Sequence, residues 1–382
     1  MNNNKLNCPQ AKKCGGCQLS NMDYARQLNF KQAKVVKLLG KFRRVNKIIG
    51  MKNPYHYRNK VSAAFTTTRS GKIISGVYQS STKSIVNVDK CLIEDSFADE
   101  IIVEIRKMLP QFKISPYNEF TRKGFLRHVL VKRGFATNQT MVVLVGANKN
   151  FSQKEKFCKA LLEKFPEITT VVFNVSTDKF SMLLGEYEEV LFGNGYIEDV
   201  LCGLTFRISP KSFYQINPIG AEILYNKAIE FADISEEDIV IDAYCGTGTI
   251  GLACAKFANR VISVELNSDA VKDAKTNAKV NNIENAEFFE CDATKFITTY
   301  AKEGKRADVV ILDPPRKGST KEFLKSVVTL QPEKVVYISC NPETQKRDLF
   351  ELIKGGYKVR KIQPVDMFPH TNHVETVVLL TK

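Results

Sequence analysis

Residues 238–265 constrain this chain more than any other stretch, because they fix a strand, a glycine turn, a helix and a second strand in that order. Ile239, Val240 and Ile241 form a short apolar run of strand type, with Asp242 near its carboxyl end. Gly246-Thr247-Gly248-Thr249-Ile250-Gly251 follows, then the helical run 252–257, then Val261-Ile262-Ser263-Val264 ending at Glu265. Glycines serve where a backbone turns sharply and must approach a ligand closely. An acidic residue about twenty positions after such a turn suits the hydroxyls of a ribose. Besides a purely structural turn, two ligands compete for this place, a dinucleotide and S-adenosylmethionine. Asp242 is a poor neighbour for a diphosphate and a good one for a cationic methionine end, which favours the methyl donor.

Beyond Glu265 the pattern alternates strictly. Helices are expected over 268–280, 293–301, 320–330 and 343–355, and strands over 286–291, 308–312 and 334–339, closed by two strands at 357–365 and 374–381. A helix over 219–232 leads in. Such alternation implies an α/β, doubly wound parallel sheet whose ligands sit beyond the carboxyl ends of its strands. The short link between the last two strands suits an antiparallel edge. Asp292, Asp313-Pro314-Pro315 and Ser339-Cys340-Asn341-Pro342 fall at those carboxyl ends. Asn341 then Pro342 reads as a helix cap and first helical residue, so Cys340 stands just ahead of a helix N-terminus, a position that lowers a thiol pKa. A lone cysteine after an apolar strand is ordinarily a small buried residue; a place in the shared crevice, opposite Asp313, points to a nucleophile instead. Glu375 sits among apolar neighbours, where burial raises a carboxyl pKa and suits a base.

At 382 residues the chain holds two domains. Residues 1–208 read as an α+β domain of hairpins with helices against one face, and residues 209–382 as the doubly wound domain. Strands are expected at 61–68, 129–132, 141–145, 170–174 and 181–184, and helices at 96–109 and 153–165. A further helix at 21–42, with Met22, Ala25, Leu28, Ala33, Val36 and Leu39 as its apolar stripe, is expected against the second domain. The net charge is +15, and its placement is uneven. Between Asp23 and Asp89 there is no acidic residue and there are fourteen basic ones, from Arg26 to Lys83, with Tyr55, His56, Tyr57 and Phe65 interleaved. A polyanion explains this better than a solvated surface of mixed sign, and the rings suit either stacked unpaired bases or a core. Arg122, Lys123, Arg127, Lys132 and Arg133 form a second cluster. No apolar run spans a bilayer, and residues 1–5 lack a signal peptide's apolar segment, so a cytoplasmic protein, expected as a monomer and without a membrane partner, is the reading.

Ten cysteines in a cytosolic chain argue for thiols, metal ligands or catalysis rather than disulfides. Cys8, Cys14 and Cys17 are spaced C-x5-C-x2-C, and Cys91 is the next along. Four thiolates fit zinc or an iron–sulfur cluster alike.

A methyl donor, a cysteine and a polyanion together suggest alkylation at carbon 5 of a pyrimidine. That carbon is hardly nucleophilic until a thiolate adds to carbon 6, and a thiolate both adds and leaves readily. Four motifs carry a resemblance here: the turn from Asp242 to Gly248, the loop from Leu312 to Gly318, Ile338-Ser-Cys-Asn-Pro342 and His373-Val-Glu-Thr-Val377. In that order they resemble the RNA uracil-5-methyltransferase family, whose members make 5-methyluridine in 23S rRNA and tRNA. The resemblance implies a Rossmann-like class I methyltransferase domain, S-adenosylmethionine as donor, Cys340 as nucleophile and Glu375 as the base for the carbon 5 proton. It further implies Gln215, Tyr244, Glu265 and Asp313 at the donor site, with Thr249 and Asp292 in weaker contact. Cys8, Cys14, Cys17 and Cys91 resemble the [4Fe–4S] ligands of the rRNA branch, which makes 23S rRNA the expected partner and tRNA the alternative. Seven residues precede Cys8, so the OB-type RNA-binding module of many relatives is expected to be missing, with the basic stretch in its place. Two rivals remain. An amino-directed RNA methyltransferase would place an aromatic after the prolines, where Arg316 stands, and a non-enzymatic RNA-binding iron–sulfur protein would not need Cys340 and Glu375 in these settings.

Overall fold

The computed structural model describes residues 8–79, 82–179 and 182–382; residues 1–5, read above for a signal segment, lie outside them. A single turn of helix, α1 (Ala11–Cys14), and helix α2 (Tyr24–Leu39) precede a seven-stranded sheet. Its strands are β1 (Lys60–Thr67), β2 (Ile73–Tyr78), β3 (Ile85–Asn87), β4 (Leu126–Arg133), β5 (Thr140–Gly146), β6 (Ile168–Val175) and β7 (Tyr187–Phe192). Helix α3 (Ser96–Met108) joins β3 to β4, and α4 (Lys154–Lys164) joins β5 to β6. The order is β3-β2-β1-β4-β5-β6-β7, antiparallel throughout except at β5 and β6, where the crossover through α4 makes the pair parallel.

Both faces of this sheet are covered, which is why β4 and β5 are buried almost end to end. Val129, Val131, Val142 and Leu144 point to α3 and α4 and pack with Ile101, Ile105, Phe157 and Leu161. The alternate residues Leu130, Met141, Val143 and Val145 enter another core, shared with the hairpin β8 (Ile197–Leu201) and β9 (Leu204–Ile208) and with α5 (Pro218–Ala232). The strand expected over 181–184 is not formed: Met182–Leu184 are not strand, and Ser181 lies outside the described residues. The Asn174 side chain instead donates to the Gly185 carbonyl and accepts from its N–H, at 3.0 and 2.8 Å, ahead of β7.

The second sheet comprises β10 (Ile239–Ala243), β11 (Arg260–Glu265), β12 (Ala286–Glu290), β13 (Val309–Leu312), β14 (Lys334–Ser339), β15 (Lys358–Val365) and β16 (Glu375–Thr381). Helices α6 (Thr249–Ala255), α7 (Ser268–Val280), α8 (Ala293–Lys302), α9 (Lys321–Leu330) and α10 (Pro342–Lys354) alternate with them. Strand order is β12-β11-β10-β13-β14-β16-β15. The first five run parallel, and β16 lies antiparallel between β14 and β15. This reversal matters for chemistry, since β16 begins at the end of the sheet where β14 stops.

Helix α2 belongs to the core of this second sheet, through Val35 and Leu39. Its buried face, however, is Gln27, Lys31, Val35 and Leu39, four residues apart; of the apolar stripe expected above only Leu39 is buried, with Met22 and Leu28 half-buried. Ala25 and Ala33 are exposed, and Val36 is 46% exposed. Among the described residues no helix is long and apolar enough to cross a membrane.

Candidate active site

The carboxyl ends of β10 to β14 open on a cleft of about 1090 Å³. Its lining includes all eight residues expected there: Gln215, Tyr244, Thr249, Glu265, Asp292, Asp313, Cys340 and Glu375. Five follow from the parallel strands alone. Glu265 ends β11, while Tyr244, Asp292, Asp313 and Cys340 each come within two residues after β10, β12, β13 and β14. Glu375 arrives by the opposite route. Ser339 pairs with Thr376 on the antiparallel β16, so the next step along brings Cys340 and Glu375 to one level.

The glycine turn is held from below. Asp242 is 1% exposed and does not line the cleft; its Oδ2 accepts a 2.8 Å hydrogen bond from the Gly251 N–H. The sequence reading that set Asp242 against a bound cation is therefore corrected: this carboxyl fastens the turn, and burial pushes its pKa up to about 7. Gly251 has no room for a side chain, because an added Cβ would stand 2.6 Å from Ser263 Oγ and 2.8 Å from Asp242 Oδ2. Gly246 donates to Glu265 Oε2 at 3.0 Å and Asn267 donates to Oε1 at 2.8 Å, so two backbone N–H groups fix the carboxylate at the end of β11. Tyr244 adopts φ of 72°, a left-handed backbone that a bulky residue rarely takes without cause. The strain turns its ring beside Phe323, with centroids 5.5 Å apart. Gln215 donates to the buried Tyr225 hydroxyl at 3.0 Å, and Asp292 caps α8 by accepting from Lys295 N–H.

Around Cys340 the groups influence one another. Burial raises its thiol pKa to about 11; Glu375 and Asp313 push the same way, while the Arg316 guanidinium, by charge and hydrogen bond, pulls down. In the ligand-free protein the thiol is thus raised, not lowered as its place ahead of α10 suggested, because desolvation and two carboxyls outweigh Arg316. Glu375, 6% exposed, is raised to about 8 by burial and then by Asp313, with Arg316 opposing. Burial lifts Asp313 to about 7.

The loop carrying Arg316 is tied to α10. Asn341 Nδ2 and Thr344 Oγ1 both donate to the Arg316 carbonyl at 3.2 Å, and Arg347 donates to the carbonyls of Lys317 and Ser319. Arg316 entered the sequence reading only as the residue that argued against an amino-directed enzyme; its charge beside a cysteine at a strand end was the missed signal. Tyr225, fully buried under Gln215, left no mark in the sequence at all.

The amino-terminal thiols behave differently. Cys8, Cys14 and Cys17 are near enough for Cys14 and Cys8 to reinforce the burial that lifts Cys17 to about 11. Burial also raises Cys91, whose N–H donates to Asp99 Oδ2 at 2.6 Å. Yet among the described residues no group of three or more His, Cys, Asp or Glu side chains is placed to hold a metal ion. The expected [4Fe–4S] ligand set of Cys8, Cys14, Cys17 and Cys91 therefore gains no support from the geometry.

The basic stretch is mostly a surface, with corrections. Of its fourteen cations Lys31 is buried, Lys34 and Arg58 are half-buried, and the others are exposed. Tyr57 and Phe65 are core residues, 2% and 1% exposed, so of the interleaved rings only Tyr55 and His56 reach the surface. The second cluster is divided: Arg122 and Lys123 are exposed and Arg133 is half-buried, while Arg127 and Lys132 are buried. Arg127 pairs with Glu119 at 2.6 Å, and Lys132 donates to the carbonyls of Ser209 and Ser212 at 2.8 and 2.9 Å, its pKa driven down to about 7 by burial.

Residues 23–382 match the family model described as tRNA (Uracil-5-)-methyltransferase. The chain is 42% identical over 378 residues to an uncharacterized RNA methyltransferase of Clostridium tetani, covering 98% of this chain and 82% of that protein. It is 41% identical to one of Oceanobacillus iheyensis, over 96% and 81% of the two chains. The solved Pyrococcus abyssi tRNA (uracil-54, C5)-methyltransferase, in complex with S-adenosyl-L-homocysteine, superposes with a TM-score of 0.82 at 29% identity, covering 96% of this chain and 86% of that one.

Proposed function

The chain belongs to the tRNA (uracil-5-)-methyltransferase family, and from that premise we propose that it methylates carbon 5 of a uridine in RNA through a covalent bond between Cys340 and carbon 6. The observation that carries the reading is the meeting of Cys340 and Glu375 across β14 and β16, in the cleft that also holds the glycine turn, Glu265 and Asp313. Those groups fit S-adenosylmethionine: Glu265, immobilised by two N–H groups, suits ribose hydroxyls, and the carboxyls of Asp313 and Asp292 suit a cation. Gln215, Tyr244 and Thr249 complete that donor site. When bound, the donor supplies an electrophilic methyl and a positive charge. A positive charge beside Asp313, Glu375 and Cys340 favours their ionised forms, reversing the rise that burial imposes.

Cys340 Sγ then bonds to carbon 6, and the electrons of the C5–C6 double bond move towards the carbon 4 oxygen. Carbon 5, now nucleophilic, takes the methyl group, and the pair of the broken S–CH3 bond stays on sulfur, which leaves as the neutral thioether S-adenosylhomocysteine. The Glu375 carboxylate accepts the carbon 5 proton, the C5–C6 double bond reforms, and the C6–S bond breaks with its electron pair returning to Cys340. Both faces of the ring must be free, so the uridine has to be unstacked. The exposed cations of 26–83 offer a phosphate-binding surface.

The RNA is proposed to be 23S rRNA, from the amino-terminal cysteine spacing. The likeness to the P. abyssi enzyme favours tRNA as the second reading, and mapping 5-methyluridine in both RNAs from cells with and without the gene separates them. A [4Fe–4S] cluster on Cys8, Cys14, Cys17 and Cys91 belongs to the rRNA reading; no step above passes through it. The central test uses RNA with 5-fluorouridine at the target, where fluorine cannot leave as a proton. A covalent adduct is expected with the wild type and none with Cys340→Ala; an adduct that survives that substitution removes the nucleophile and the mechanism with it.

A further inference from the structure

Helix α2 buries two polar side chains where its apolar ones were expected, and both grip the same loop. Lys31 is wholly enclosed; its Nζ donates to Asp366 Oδ1 at 2.6 Å and to the Phe368 carbonyl at 2.9 Å. One turn earlier, Gln27 lies 3.1 Å from His370 Nδ1 through Nε2, and its Oε1 accepts from the His370 N–H at 2.8 Å. A lysine is almost never enclosed unless paired, so this burial costs stability that an apolar helix face would have kept.

The loop they hold joins β15 to β16 and ends at Glu375. Tyr57 donates to the Pro369 carbonyl at 3.0 Å, Leu19 N–H to the His370 carbonyl at 2.9 Å, and Asn372 N–H to Gln18 Oε1 at 3.3 Å. Tyr55 stacks on the His370 ring at 5.2 Å. The chain at Ile49 adds to the sheet edge, its N–H donating to the Pro364 carbonyl and its carbonyl accepting from Asp366 N–H. Ile49 bridges to Val365, which is the ladder partner of Glu375. Phe368 and His373 of the same loop line the cleft. Every one of these contacts comes from residues 18–57, and none of those residues lines the cleft.

We propose that α2 and its flanking segments clamp the β15–β16 loop and thereby set the position of Glu375, with Gln27, Lys31 and Tyr57 as positioning residues for proton removal from carbon 5. The inference rests on the methyl-transfer reading above. Because these residues act through Glu375, loosening them slows the final elimination, in which the C5 proton passes to the carboxylate and the C6–S electron pair returns to Cys340. Attack and methyl transfer, which use other groups, continue.

The test compares wild type, Gln27→Ala, Tyr57→Phe and the paired change Lys31→Met with Asp366→Leu, each checked by thermal melting. The Tyr57→Phe change removes one hydroxyl only and keeps the ring in the core. All four are first given 5-fluorouridine RNA and the methyl donor; an adduct with the wild type secures the reaction, and its absence there defeats the methyl-transfer reading rather than the clamp. With ordinary uridine RNA, folded variants are expected to accumulate a denaturation-resistant, methylated RNA–protein adduct while kcat falls by about a hundredfold, as for a group misplaced by about 1 Å. Their KM for S-adenosylmethionine stays within about twofold, since the donor turn is untouched. Wild-type turnover without adduct in folded Tyr57→Phe and Gln27→Ala overturns the clamp, and so does an equal loss of adduct formation and turnover.

Discussion

Replacing Glu375 by Gln separates the two consequences of burying that carboxyl. In the folded, ligand-free protein it titrates at about 8, against an ordinary 4.5. The folded state therefore keeps a proton that the unfolded state has released, so the stabilising contribution is full below pH 4.5 and is lost as pH rises through 8. At pH 7 the handicap amounts to about 3 kcal/mol, taken at 1.36 kcal/mol per pH unit. Gln has the same shape and never ionises. The variant should match the wild type near pH 4.5 and gain on it steadily, by about 3 kcal/mol at pH 7, in urea unfolding followed at several pH values. Catalysis goes the other way: loss of a general base costs roughly a hundred- to ten-thousandfold, and the methylated adduct should build up because only elimination is blocked. Labelled methyl donor and a denaturing gel read this directly. A stability difference flat in pH refutes the buried-carboxyl argument, and free turnover within about tenfold of wild type refutes the base.

Three further outcomes follow from single features. Gly251→Ala places a Cβ 2.6 Å from Ser263 Oγ and 2.8 Å from Asp242 Oδ2; overpacking of this kind costs about 1–3 kcal/mol, and the KM for S-adenosylmethionine should rise, whereas an unchanged KM and melting temperature would mean the turn has slack. RNA affinity should fall with salt at a log–log slope of about −0.7 per neutralised phosphate on single strands, and changing exposed Lys37, Lys41, Arg43 and Arg44 to Ala should flatten that slope; an unaltered slope places the phosphates elsewhere. The cluster reading predicts iron and inorganic sulfide in equal amounts in anaerobically purified protein, lost in Cys17→Ser; zinc in their place ends it.

Periodicity and turn chemistry made much of this protein legible in advance. Helices α7 and α10, the strands between them and the strand-end positions of Glu265, Asp292, Asp313 and Cys340 all follow from local alternation, because a parallel sheet delivers every such terminus to one edge. The antiparallel edge was readable from the short link between the last two strands. What local pattern could not supply was the environment of each group. Asp242 looked like a good neighbour for a cation and proved to be a buried fastener of the turn, and Cys340 looked activated by a helix end until burial, with two carboxyls beside it, proved to raise it. Tyr57 and Phe65, which suited stacked bases or a core alike, and Arg127 and Lys132, noted only as part of a basic cluster, lie in the interior.

The amino-acid sequence alone determined that a class of strand–helix repeats would gather carboxyls and a thiol at one crevice, since residues adjacent in the chain decide that. Only the tertiary structure decided which way α2 would turn. Its exposed Val36 and enclosed Lys31 invert the hydrophobic rule, because the partner that makes Lys31 tolerable, Asp366, stands more than three hundred residues away and meets it only when the fold is complete.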